Sequence, residues 1–196
     1  MICAGVTGGI GSGKSYVCKV FEQLGIPVFY ADSEVKKMYD DTPEVRAQLV
    51  EAFGEKIYDN GKLNRKLLAQ IAFGSSSALA RLNAIAHPAA GKRFLAWAAR
   101  QKNTPYVLHE AALMFESSAH RLMDKVITVA APLELRIQRV MHRDSCSRQE
   151  VERRIAHQLS DSERAARADY TIDCDDSTPL LPQVLKIHGE LRIMRN

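Results

Sequence analysis

Residues Thr7 to Val17 read TGGIGSGKSYV, with glycines at 9, 11 and 13 giving way to Lys14 and Ser15. Gly8 to Ser15 fits the spacing G-x-x-x-x-G-K-[ST]. Glycine lets a backbone bend closely around an anion because no Cβ stands in the way. Successive N–H groups and the start of the following helix then point at phosphate oxygens. A lysine at position 14 reaches the β- and γ-phosphates, and the hydroxyl of Ser15 is placed to ligate Mg²⁺. Gly11, Ser12, Gly13, Lys14, Ser15 and Tyr16 are the expected contacts to a nucleoside triphosphate. A dinucleotide-binding loop fits poorly, since Lys14 stands where the last glycine of G-x-G-x-x-G belongs. No N-K-x-D stretch for reading guanine occurs.

Two further groups suggest what happens to the phosphate. Asp32 closes the short run Val28–Ala31, and ligands of open parallel sheets bind at the carboxyl ends of strands. An aspartate there accepts the proton of an attacking hydroxyl. The same residues, DSEV, also begin a helix, where an aspartate caps. Arg136, Arg139 and Arg143 share one helical face, opposite Leu133, Ile137, Val140 and Met141, which read as core. A solvated face is the plain reading of such arginines. Beside a phosphate loop, Arg139 or Arg143 also suits neutralising charge on a moving phosphoryl group. His87 reads as a structural group or a ligand, Glu110 as a water-mediated Mg²⁺ holder or a cap, and Trp97 as core or surface of the helical region.

The elements that must position these residues follow from periodicity. Ile2–Thr7 is a strand, and Val17, Val20, Phe21 and Leu24 mark one face of a helix that Gly25 and Pro27 stop. Strand–helix–strand within about thirty residues implies parallel strands. Residues 33–100 read as helices with no obvious strand, more than a crossover needs, hence a helical insert. Within it Thr42-Pro43 opens a helix, Asn60-Gly61 is a turn, and His87-Pro88 ends a helix. Strands resume at 106–109, 125–129 and 170–172. Helices follow at 133–141, after the capping box Ser147–Glu150, and at 180–193. The expectation is a three-layer α/β/α fold with a parallel five-stranded sheet, a helical insert and a small lid.

The chain has 196 residues and a net charge of +4. No run of about 18 apolar residues predicts a membrane span, and the N-terminus lacks the basic region of a signal peptide. Cys3, Cys18, Cys146 and Cys174 are scattered, which argues against a zinc site or a disulfide framework and for a cytoplasmic protein. Eight of the sixteen arginines fall between Arg136 and Arg167. No aromatic residues interleave that basic stretch, so a nucleic-acid partner is not expected.

In order along the chain stand GVTGGIGSGKS, PVFYAD, LNAIAHP, ALMFES, RIQRVMHRD, RRIAHQ and ADYTID. Together these resemble the dephospho-CoA kinase family over essentially the whole chain. The resemblance implies phosphoryl transfer from ATP, with Mg²⁺, to the 3′-hydroxyl of the ribose in dephospho-CoA. It implies a nucleotide-binding core (1–32, 101–138 and 161–196), a helical CoA-binding insert (33–100) and a lid (139–160). By the resemblance Asp32 is the base, Lys14 and Arg139 act on the phosphates, and Arg143 joins the ATP contacts. His87 and Glu116 fall on substrate-binding positions. A monomer or weak oligomer with no membrane partner is expected. The chain departs from the family pattern at Tyr16, where threonine is usual, in AALMFE, which lacks a proline, and at Cys174, near a common asparagine. Another small-molecule kinase, for a nucleoside monophosphate or a sugar acid, is the nearest alternative. A nucleotide-binding regulator that transfers nothing is the alternative from a different class.

Overall fold

The computed structural model describes residues 1–194, and the chain divides into two compact units, residues 1–30 with 98–196 and residues 31–97. The first unit is built on five parallel strands: β1 (Ile2–Gly8), β2 (Val28–Tyr30), β5 (Tyr106–Glu110), β6 (Lys125–Ala130) and β7 (Tyr170–Asp173). Their order in the sheet is β2-β5-β1-β6-β7. β1 is central, and its residues from Ala4 to Gly8 are all buried. That burial on both faces is why its sequence is apolar and small rather than alternating with polar residues.

Alternate residues of β1 serve different layers. Ala4 and Val6 face a core shared with Val17, Cys18 and Phe21 of α1 (Lys14–Gln23) and Val184, Ile187 and Leu191 of α9 (Leu180–Ile193). On the other face, a side chain at Gly5 would meet Met114 Sδ at 2.3 Å. The glycine therefore admits Met114 against the sheet. Helices α6 (Leu133–Asp144), α7 (Arg148–Ala156) and α8 (Asp161–Arg167) complete this unit. A small apolar cluster of Ile137, Val140 and Val151 joins α6 to α7. The expected capping box is present at Ser147 and Glu150, and a second one stands at Ser160 and Glu163.

The second unit comprises α2 (Ala31–Asp41), α3 (Pro43–Phe53), α4 (Arg65–Phe73) and most of α5 (Ser76–Ala99). Its own core is Met38, Val45, Leu49, Ile57, Leu63 and Leu68. The expectation of no strand here needs correction. Two-residue strands β3 (Tyr58–Asp59) and β4 (Lys62–Leu63) pair antiparallel around Asn60-Gly61. Both turn residues have positive φ, 47° and 80°, the conformation a two-residue hairpin demands. Only two residues per strand leave no alternation to read.

His87-Pro88 also does not end a helix. α5 runs for 24 residues straight through Pro88. Proline removes one helical hydrogen bond, but Ile85, Ala89 and Ala90 on either side pack on the unit's core. That packing holds both flanks helical. A network of ion pairs ties the ends of this unit together. Arg93 reaches Glu34 at 3.0 Å and Asp41 at 2.8 Å, and Arg65 pairs with Asp40.

Candidate active site: the phosphate loop and its supports

The loop between β1 and α1 has the shape its glycines allow. A tight turn closes with Ser12 N–H donating to Gly9 O at 3.1 Å. Gly11 and Gly13 have φ of 78° and 97°, values that other residues rarely adopt. Close neighbours exclude side chains there as well. A Cβ on Gly11 would lie 2.4 Å from Arg136 O, and one on Gly13 would lie 2.6 Å from Cys174 Sγ. Gly13 caps α1, and Tyr16 and Val17 donate to its carbonyl at 2.9 and 3.0 Å.

Lys14 is buried, and its Nζ donates to Gly8 O at 3.0 Å and Gly9 O at 3.3 Å. The cation thus lies along the inside of the loop. Ser12 Oγ is buried against Gly8 with no hydrogen-bond partner among the described residues. Ser15 and Tyr16 are exposed on the first turn of α1. An exposed hydroxyl beside phosphate oxygens and water is the oxygen-rich donor set that Mg²⁺ takes. No group of three or more His, Cys, Asp or Glu suited to a metal occurs among the described residues.

α6 places its arginines unequally. Arg139 is brought to the loop: Nη1 donates to Gly11 O at 3.4 Å and Nη2 to Asp176 Oδ1 at 2.5 Å. Arg143 is instead paired with Asp144, Nε to Oδ1 at 2.7 Å, with Arg154 on the same carboxylate. Those two guanidinium groups hold the Asp144 carboxyl far below the usual carboxylate range. Arg136, expected on the same outward face, is buried with 2% exposure. Leu133, expected in the core, is 51% exposed. The cause is the loop itself: it packs on α6 from the side where Arg136 stands, turning that side inward and leaving Leu133 outside.

Glu116 is exposed and accepts from Leu159 N–H at 3.1 Å. Glu110 is the buried last residue of β5, level with Val6 of β1 and Tyr30 of β2. Burial first, and then the Glu110 and Glu22 carboxylates, push the Cys18 thiol up, so it stays protonated. His109, one residue earlier, stacks on Phe29 at 5.4 Å, and burial pushes its imidazole down to about 4. It is neutral at pH 7.

Asp32 and His87 belong to the helical unit. Asp32 lies two residues past the end of β2, exposed in the first turn of α2. It is inside the helix rather than at a strand end. His87 is exposed near the middle of α5, and desolvation lowers its pKa. Trp97 stacks on Phe94 at 6.2 Å. Sequence reasoning missed Gln158, Asp161 and Asp176, which touch the loop or its arginines, and Arg164, which pairs with Asp161. They lie in turns or a seven-residue helix, where no periodicity marks them.

A parallel sheet in the order β2-β5-β1-β6-β7, with a glycine loop and lysine on its central strand, defines a phosphate-loop kinase. The dephospho-CoA kinase family model matches residues 2–179, and the chain belongs to that family. It is 39% identical to a dephospho-CoA kinase of Bacteroides fragilis over 183 residues, 93% of this chain and 89% of the relative. To that of Salinibacter ruber it is 42% identical over 178 residues, 89% of each chain. The solved dephospho-CoA kinase of Campylobacter jejuni superposes with a TM-score of 0.72 at 25% identity, covering 99% of this chain and 98% of that one. Among the described residues no helix is long and apolar enough to cross a membrane.

Proposed function

We propose that this chain transfers the γ-phosphoryl group of ATP to the 3′-hydroxyl of the ribose in dephospho-CoA, giving CoA and ADP. The observation that carries the reading is the glycine loop with Lys14 inside it and Arg139 against it, in a chain of this family. Residues 139–160 act as the lid over the nucleotide, and residues 33–100 take the acceptor. A cytoplasmic location belongs to the same reading.

Each residue then has a task. The loop N–H groups of Gly11, Ser12 and Gly13 cradle phosphate oxygens. Lys14 leaves the loop carbonyls for the β- and γ-phosphates. Arg139 spreads charge over the moving phosphoryl group, a task suited to its planar fork. Ser15 is the residue that would hold Mg²⁺, which would supply positive charge to neutralise the phosphates. Asp32 orients the ribose hydroxyl and takes its proton. His87 and Glu116 bind the acceptor. The transition state of phosphoryl transfer is loose, so much of the value of Asp32 is orientation.

Incubation with ATP, Mg²⁺ and dephospho-CoA should give CoA and ADP in equal amounts. ADP release that does not depend on dephospho-CoA would overturn the assignment. Asp32→Asn should fold normally and lose about 100-fold in kcat. Unchanged kcat would leave Asp32 as a first-turn helix residue only.

A further inference from the structure

The tip of the phosphate loop is gripped from three sides. The side chain of Ile10 packs on the α6–α7 cluster of Ile137, Val140 and Val151. Its N–H donates to Gln158 Oε1 at 2.9 Å, and its carbonyl accepts from Arg136 Nε at 3.0 Å. The backbone on both sides of Ile10 is therefore held, the Gly9–Ile10 peptide by its N–H and the Ile10–Gly11 peptide by its carbonyl, by side chains more than a hundred residues away. One hydrogen bond on each of two consecutive peptides fixes both planes, and with them the direction of the N–H groups that follow.

The support behind this grip is costly to build. Arg136 Nη1 pairs with one oxygen of Asp161, and Arg164 Nη2 donates to the other at 2.6 Å. Arg136 and Arg164 are 2% and 1% exposed. Two buried guanidinium groups share one carboxylate, so a net positive charge stays beneath the loop. Arg136 Nη2 has no hydrogen-bond partner among the described residues. It lies where a Cβ on Gly9 would come within 2.1 Å. Packing alone does not call for this arrangement, since apolar groups fill such a space at lower desolvation cost. The segment after α7 completes the support. Gln158 takes the loop, Leu159 N–H takes Glu116, and Asp161 takes both arginines.

We propose that Arg136 and Gln158 are positioning residues for phosphoryl transfer, gripping Ile10 through its carbonyl and its amide so that the phosphate loop is set before the triphosphate arrives. This role requires neither of them to touch the acceptor or the reacting atoms. Preset donors cost no reorganisation during the reaction. The inference rests on the reading of the loop as the ATP site. It differs from a stability role because it separates the two substrates.

The test compares wild type with Arg136→Lys, Gln158→Met and the double variant in steady-state kinetics with ATP and dephospho-CoA. Circular dichroism and thermal unfolding are recorded on the same samples. Lysine keeps the charge of Arg136 but cannot bond Ile10 and Asp161 together. Methionine keeps the bulk of Gln158 without its acceptor. Each single variant should lose about 10-fold in kcat over KM for ATP, the scale of one misaligned hydrogen bond. KM for dephospho-CoA should stay within about 2-fold. The double variant should be little worse than the poorer single one, because both grip the same residue. Wild-type kinetics in folded variants, an equal rise in KM for both substrates, or fully additive losses would overturn the proposal. If Arg136→Lys does not fold, Gln158→Met alone decides on the first two criteria. A wild type that makes no CoA would instead count against the proposed reaction.

Discussion

Arg139 bridges the phosphate loop and the segment after β7, with one nitrogen on Gly11 O and the other on Asp176 Oδ1. Asp176 stands with φ of 67°, a left-handed conformation that aspartate and asparagine both tolerate. In the proposed reaction this carboxylate would compete with phosphate oxygens for the same guanidinium. Its replacement by asparagine keeps the backbone and removes the competing charge. Asp176→Asn should lower KM for ATP by about 5-fold, the equivalent of an exposed ion pair of about 1 kcal/mol. A raised KM would mean that Asp176 helps to aim Arg139 rather than to compete for it.

The fork of Arg139 matters more than its charge. Arg139→Lys should lower kcat by about 100-fold, since a lysine ammonium does not match two phosphate oxygens at once. Arg148, exposed and paired with Glu134 and Glu152, is the control. Arg148→Lys should leave kcat within about 2-fold and the unfolding midpoint nearly unchanged. Equal damage at both sites would point to bulk charge instead.

His87 offers a split between the two substrates. It lies in the helical unit, midway along α5. His87→Ala should raise KM for dephospho-CoA by about 10-fold and leave KM for ATP within about 2-fold. A rise confined to ATP would overturn its assignment to the acceptor.

The Arg93 network gives the helical unit a pH dependence. A hydrogen bond from Lys37, with further help from Arg93, holds the Glu34 carboxyl below its ordinary value, and Arg93 does the same for Asp41. Depressed carboxyl pKa values stabilise the folded state above the unfolded values of about 3.9 and 4.3. That stabilisation is lost as pH falls through the folded values. Arg93→Met should therefore cost about 1 kcal/mol at pH 7 and much less at pH 3. Urea unfolding at the two pH values measures the difference. A cost that stays constant would show that Arg93 acts through packing of its stem.

Local signals in the chain carried the parts that repeat or punctuate. Spacing alone located the phosphate loop at Gly8–Ser15, because the glycine, lysine and hydroxyl positions are set by the anion and not by distant residues. Apolar runs identified all five strands of the sheet, and Ser147–Glu150 marked the start of α7, since a cap is a contact between near neighbours. The β3–β4 hairpin and the passage of α5 through Pro88 were not legible: the first is too short for a period, and the second is sustained by packing on Ile85, Ala89 and Ala90. Only the tertiary structure divided the arginines of α6 into three kinds. Arg136 lies beneath the loop, Arg139 against it, and Arg143 on Asp144, although the sequence sets all three on one face. A helical period fixes which residues share a side. What fills the space beside that side is decided by segments far along the chain, here Ile10, Asp161 and Asp176, whose approach no local pattern encodes.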